Sequence, residues 1–148
     1  SLGSFPGTLE EKMAPWTTPV VEVLKNCMGG AYENAVRKGA IIVAPFETMR
    51  GSSFSDAFVI MDEAQNTTPE EMKMFTTRIG ENCRVVINGD ITQSDIRQTS
   101  GLSTIIELAQ RFNLPVPVID FGIDDVVRSK ECKMWIEAFH KSQPKVAL

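Results

Sequence analysis

The chain has 148 residues, 43% of them hydrophobic and 23% charged, with 15 Lys and Arg against 19 Asp and Glu and a formal net charge of −4. That length suits one domain able to bury a core, and the composition is that of a globular protein rather than a disordered or fibrous one. A net negative chain has no overall pull toward nucleic acid, no apolar run approaches the roughly 20 residues of a bilayer span, and no charged start with an apolar stretch behind it marks a signal peptide. A cytoplasmic protein with no membrane contact is therefore expected. Cys27, Cys83 and Cys132 are odd in number and widely spaced, which argues against a disulfide framework and for a reducing compartment. The single histidine, His140, reads as a solvated helix-end residue. Neither a structural zinc cluster nor a serine or cysteine triad has its histidine.

In chain order, Thr8-Leu9-Glu10-Glu11 has the spacing of a capping box, so a short helix is expected to Pro15. Thr17-Thr18-Pro19 opens another, with proline at the first helical position and Gly29-Gly30 ending it. A third short helix, 31–38, leads through Gly39 into an apolar strand at 40–44 that Pro45 stops. A long polar loop, 46–56, carries Arg50-Gly51. The run Phe58-Val59-Ile60-Met61 is apolar at consecutive positions, as suits a parallel strand covered on both faces. Thr67-Thr68-Pro69-Glu70-Glu71 supplies an N-cap, a first-turn proline and a capping glutamate, predicting a helix to Ile79 with Gly80 as C-cap. A second apolar strand, 84–88, is followed by Gly89, where the backbone is expected to turn sharply. Beyond it come a helix at 102–112, an edge strand at 116–121 bracketed by Pro115 and Pro117, and a last helix capped by Asp124 and reaching Ser142. The βαβαβα order from residue 40 onward, after a helical lead-in over 1–39, is that of a parallel sheet with right-handed crossovers.

Chemistry gathers where the two best strands end. Parallel strands bind ligands at their C-terminal ends, and the first strand delivers Asp62 and Glu63 there with no turn residue between. In nucleoside triphosphatases, two such acids divide the work: the first holds Mg²⁺ through its water shell, and the second orients or deprotonates the attacking water. The competing reading is a strand end with two solvated acids. Gln93, after Gly89-Asp90 at the second strand end, offers a donor and an acceptor suited to a γ-phosphate oxygen and a water; otherwise it is an ordinary turn residue. Arg37-Lys38, Lys73 with Arg78, and the segment from Arg128 to Lys133 are local basic patches, each more simply a solvated helix face.

Met49-Arg50-Gly51, Asp56 to Thr68, Met72 to Gly80 and Asn88-Gly89-Asp90-Ile91-Thr92-Gln93 occur in an order and spacing that resembles the PhoH family. The resemblance runs from about Leu2 to His140. It implies a three-layer αβα P-loop ATPase fold similar to superfamily 1 helicase cores, with ATP and Mg²⁺ as ligands, RNA as a possible substrate and a homo-oligomeric ring as the assembly. It places Asp62-Glu63-Ala64-Gln65 in the family's Walker B motif and Gly89-Asp90 with Gln93 in its motif III. On that footing Asp62 holds the metal, Glu63 activates water, Gln65 and Gln93 sense the γ-phosphate, and Asp90 belongs to the nucleotide-binding set. Arg50 is a candidate for contact with nucleotide, a nucleic-acid strand or a neighbouring subunit, against a plain surface charge. Arg128, in Asp125-Val126-Val127-Arg128, is a candidate for stabilising transferred charge, against a salt bridge to Asp124 or Asp125.

Three departures accompany the likeness. No Gly-Lys pair occurs anywhere in the chain, so the phosphate-cradling loop Gly-x-x-x-x-Gly-Lys-Ser/Thr is missing. The family carries it upstream of the segment resembling residues 1–7, which implies that these residues correspond to the later part of the ATPase. Ser52 stands where the family usually has a second arginine, and Ile96-Arg97-Gln98-Thr99 where it has Pro-Arg-Gly. Two functions therefore stand open: a Mg-ATP hydrolase, and a non-catalytic module that binds RNA or assembles with partners.

Overall fold

The computed structural model describes residues 9–45, 49, 51, 53–93 and 99–142, with the backbone alone for 9–18. Arg50, Ser52, Arg97 and the lead-in at 1–8 lie outside the described residues.

Two parallel strands organise the chain. β1 (Ala57–Met61) pairs with β2 (Cys83–Ile87) in the register Ala57 to Cys83 through Met61 to Ile87. Both begin after a residue in left-handed conformation, Asp56 and Asn82, types that tolerate it well. The Asn82 amide donates to the Asp56 carboxylate at 2.8 Å, so the two strand starts are tied as well. Between the strands runs α3 (Pro69–Thr76), making the βαβ crossover that a parallel pair requires. This is the mixed α/β class expected from the sequence.

α3 begins as its sequence dictates. Thr68 Oγ1 accepts from the Glu71 N–H at 3.2 Å and the Glu71 carboxylate accepts from the Thr68 N–H at 2.8 Å, with Pro69 in the first turn. It stops earlier than expected. Ile79 forms a parallel bridge with Phe54, and Gly80 donates to the Phe54 carbonyl at 2.8 Å. Gly80 is therefore a point of close backbone approach, and Thr77 is the C-cap.

α4 (Gly101–Arg111) crosses beside α3. The Ser100 hydroxyl caps it by accepting from the Ser103 N–H at 3.1 Å. Met49, Met61, Ala64, Met72, Phe75 and Leu102 form the core, with Phe54, Val59, Val85, Ile87, Ile105 and Ile106 packed against it. Helices thus cover the sheet face that carries Val59, Met61, Val85 and Ile87. On the opposite face Phe58 and Val86 are 64% and 41% exposed, so the expected covering of both faces is met on one side among the described residues.

Elsewhere the elements shift. α1 (Leu9–Met28) is one helix where two were expected. A proline removes one hydrogen bond and bends a helix without always ending it, and here the chain stays helical through Pro15 and Pro19. α2 (Ala31–Arg37) packs on it through buried Tyr32, whose ring lies 5.3 Å below the Lys25 ammonium. Residues 40–44 form no strand. The amides of Ala40 and Ile41 both donate to Ala35 O and wind onto the end of α2, leaving Ile42 exposed. Residues 116–121 likewise have no strand partner among the described residues.

The last helix starts late. Asp125 closes a 3-10 turn, Ile123–Asp125, by accepting from the Gly122 N–H at 2.8 Å. α5 (Lys130–Ser142) begins only after Ser129, whose hydroxyl accepts from the Cys132 N–H at 3.2 Å. His140 sits exposed in its last turn, as expected. The three cysteines are free, and no helix among the described residues is long and apolar enough to cross a membrane.

The contact between α4 and the start of α3 has no room to spare. A Cβ on Gly101 would lie 2.4 Å from Thr67 Oγ1 and 2.6 Å from the Thr68 carbonyl oxygen. Gly101→Ala is expected to cost about 1–3 kcal/mol, as overpacking against backbone does. In urea the unfolding midpoint should fall with an unchanged slope; an unchanged midpoint would contradict the packing described.

Candidate active site at the strand ends

The ladder does not end with the strands. Asn88 donates to the Met61 carbonyl at 2.8 Å and accepts from the Ala64 N–H at 2.9 Å, holding the two chain segments level one residue beyond β2. Polar side chains from both segments therefore emerge together.

Asp62 leaves β1 exposed to solvent. Glu63 follows in left-handed conformation, φ 53° and ψ 38°, uncommon for a residue with a side chain and costly by the clash of Cβ with the following carbonyl. That turn reverses the chain into a single 3-10 turn, Ala64–Asn66. Ala64 and Gln65 are buried, and the Thr67 hydroxyl donates to the Ala64 carbonyl at 2.6 Å.

Gln65 is 2% exposed. Its Nε2 donates to Glu63 Oε2, and its Oε1 accepts from the Asp90 N–H at 3.0 Å. One buried amide thus links the two strand-end loops. Gly89 makes this possible by its size, since a Cβ there would lie 2.6 Å from Gln65 Oε1 and 2.7 Å from Leu102 Cδ2. Its backbone is not left-handed, so space is the requirement at this glycine. The left-handed turn falls on Glu63 instead.

Asp90 organises its own loop. Oδ1 accepts from the Thr92 N–H at 2.8 Å and from the Thr92 hydroxyl at 2.6 Å, while Oδ2 accepts from Gln93 Nε2 at 2.9 Å. The Thr92 hydroxyl bond, more than the smaller backbone and Gln93 bonds, holds the Asp90 carboxyl below the ordinary aspartate range, against a smaller upward push from burial.

Five of the seven sequence-predicted site residues, Asp62, Glu63, Gln65, Asp90 and Gln93, therefore stand on the two adjoining loops. Arg50 is outside the described residues. Arg128 lies at a bend in the irregular link before α5 and not in a helix, exposed, and it makes no ion pair with Asp124 or Asp125. Thr92 and Asn88 were not singled out by sequence reasoning; the Asp-x-Thr spacing, an Asx-turn pattern, is the signal that finds Thr92.

A parallel α/β unit with paired acids at one strand end and an Asp-Gln loop at the next is the class of P-loop NTPase-like domains. The family model of PhoH-like proteins matches residues 1–140, and the chain belongs to the PhoH family. It is 43% identical over 143 residues to Protein PhoH of Escherichia coli K12, covering 93% of this chain and 40% of that protein. It is 40% identical over 144 residues to a PhoH-like protein of Bacillus subtilis, covering 95% of this chain and 45% of that one. A PhoH-like protein of Mycobacterium tuberculosis H37Rv is 38% identical over 141 residues. The chain spans less than half the length of these relatives.

The Asp90 loop yields a direct expectation. Because the folded carboxyl titrates below its unfolded value, the loop's contribution to stability is fully present above the ordinary aspartate range and is lost as pH falls through the lowered folded value. Thr92→Val removes the hydroxyl bond and should move the Asp90 titration upward, read by the side-chain carboxyl carbon shift in NMR. An unmoved titration would assign the shift to another cause.

Proposed function

We propose that this chain contributes the water-activating and phosphate-sensing half of a Mg-ATP hydrolase. The observation that carries the reading is the pair Asp62 and Glu63 leaving β1, with Glu63 bonded to Gln65 and level with Asp90 and Gln93 at the end of β2. Both acids are exposed and so reachable by a ligand.

The donor set fits Mg²⁺ bound with nucleotide better than a resident caged ion. No cluster of three or more His, Cys, Asp or Glu side chains that could enclose a metal exists among the described residues, whereas Mg²⁺ typically takes one or two carboxylates and fills its remaining positions with water and phosphate. Asp62 would be that carboxylate. When bound, Mg²⁺ supplies charge neutralisation on the phosphate oxygens. Glu63 orients a water and accepts its proton. Gln93, whose amide now donates to Asp90, can turn its donor toward a phosphate oxygen. The family likeness gives completion of charge stabilisation to Arg128 and contact with nucleotide to Arg50. Coupling to RNA and assembly into a ring rest on the family likeness.

The missing Gly-Lys pair favours a second reading for these residues alone: a module that binds RNA or partners and does not hydrolyse ATP. Calorimetry of Mg-ATP binding separates the two. The 148-residue chain should show no binding, and a chain carrying an upstream phosphate-binding loop should bind; binding by the short chain would place the phosphate on groups other than those assigned.

In the longer chain, Glu63→Gln should lower kcat by about 10²-fold or more, the usual worth of a positioned base, with ATP affinity kept. Full turnover by that variant would remove Glu63 from the chemistry.

A further inference from the structure

The hydrolytic reading treats the strand-end acids and the Asp90 loop as separate parts, yet one side chain joins them. Gln65 is buried at 2% exposure, beneath the surface on which Asp62, Glu63, Asp90 and Gln93 are all exposed. Its amide faces inward to the protein at both ends, donating to Glu63 and accepting from the Asp90 backbone. Three walls hold it there. The peptide of Ala64 is bonded to Asn88, and the Gly89 backbone lies so close that a side chain at 89 would collide with Gln65 Oε1. Leu102, in the first turn of α4, closes the same space.

We propose that Gln65 is a positioning residue that acts through Glu63 and does not touch nucleotide, fixing the glutamate carboxylate to the loop that carries Asp90 and Gln93. The assignment rests on the hydrolytic reading above and changes the role expected for Gln65 from phosphate contact to alignment. A carboxylate on an exposed turn otherwise samples several rotamers. Tied to a buried amide whose other end is anchored on the second loop, it is aimed by the packing of the sheet and α4. A rearrangement of the Asp90 loop then reaches Glu63 through one side chain.

Two variants separate the functions of the amide. Gln65→Met keeps the volume and loses both hydrogen bonds. Gln65→Glu keeps an acceptor for the Asp90 N–H and loses the donor to Glu63. In the 148-residue chain, amide hydrogen exchange at Asp90 should accelerate about tenfold or more in Gln65→Met and stay near wild type in Gln65→Glu. Unchanged exchange in Gln65→Met would show that the tie between the loops is absent. In a chain supplied with the upstream phosphate-binding loop, both variants should lower kcat about tenfold with KM for ATP within about twofold. On a Glu63→Gln background, Gln65→Glu should cause no further loss, since a residue that acts through Glu63 has nothing left to align. A raised KM with kcat preserved would make Gln65 a phosphate contact, and losses that multiply in the double variant would make it independent of Glu63; either overturns the proposal. If Gln65→Met does not fold, Gln65→Glu and the double variant still decide the matter. If Glu63→Gln alone keeps full turnover, the hydrolytic reading is what fails, and the exchange experiment still judges the tie.

Discussion

The peptide of Asn88 donates to Met61 and accepts from Ala64, and this pair of hydrogen bonds keeps β1 and β2 level after the regular ladder has stopped. Several features follow from it. Gln65 reaches the Asp90 N–H only because the two loops leave the sheet at the same height. Gly89 is required because that approach leaves no space for a Cβ. Leu102 belongs to the core and also closes the space beside Gly89, so the packing of α4 is continuous with the polar site above it. A parallel pair has no hairpin to fix its register, and the inward set Val59, Met61, Val85 and Ile87 supplies that function. A slip of β2 by one residue would exchange Val85 and Ile87 for Arg84 and Val86, placing Arg84 in the core.

How much of this was legible depends on how local the cause was. The two strands and the capping box at Thr68 and Glu71 are written within a few residues of where they act. The strand at 40–44 is equally apolar, but a strand is completed by a neighbour, and the nearest acceptor is the Ala35 carbonyl at the end of α2. Pro115, just before residues 116–121, and Pro117, within them, remove donors from any ladder, and no strand pairs with this segment among the described residues. At 123–125 the local signal was real and misjudged in extent. Asp124, expected as the cap of the long helix, lies inside a three-residue turn that Asp125 closes, and Ser129 caps the long helix instead. Arg128 is carried out of the helix by that difference.

At the candidate site, the residue types were legible and their division of labour was not. Asp62, Glu63, Asp90 and Gln93 follow from the rule that parallel strands present ligand-binding groups at their C-terminal ends. The burial of Gln65 does not follow from any local pattern, since Asp-Glu-Ala-Gln reads as four residues leaving a strand together. It arises because Glu63 takes the left-handed conformation and turns the chain back over the sheet. A one-residue reversal places the glutamine inside and leaves the acids outside.

That reversal sets two comparable energies against each other. A non-glycine residue in the left-handed region costs about 1–2 kcal/mol. A hydrogen bond to a charged group is worth about 1.5–3 kcal/mol, but Glu63 is solvent-exposed and water competes for its carboxylate, which brings the bond from Gln65 toward 1 kcal/mol or so. The bond alone therefore offsets the backbone cost only in part. The remainder is met by the burial of Ala64 and Gln65 and by the Thr67 hydroxyl on the Ala64 carbonyl. Glu63 is thus held by the turn that follows it more than by anything of its own. The amide below and the sheet beneath it then aim a carboxylate whose backbone that turn has already placed.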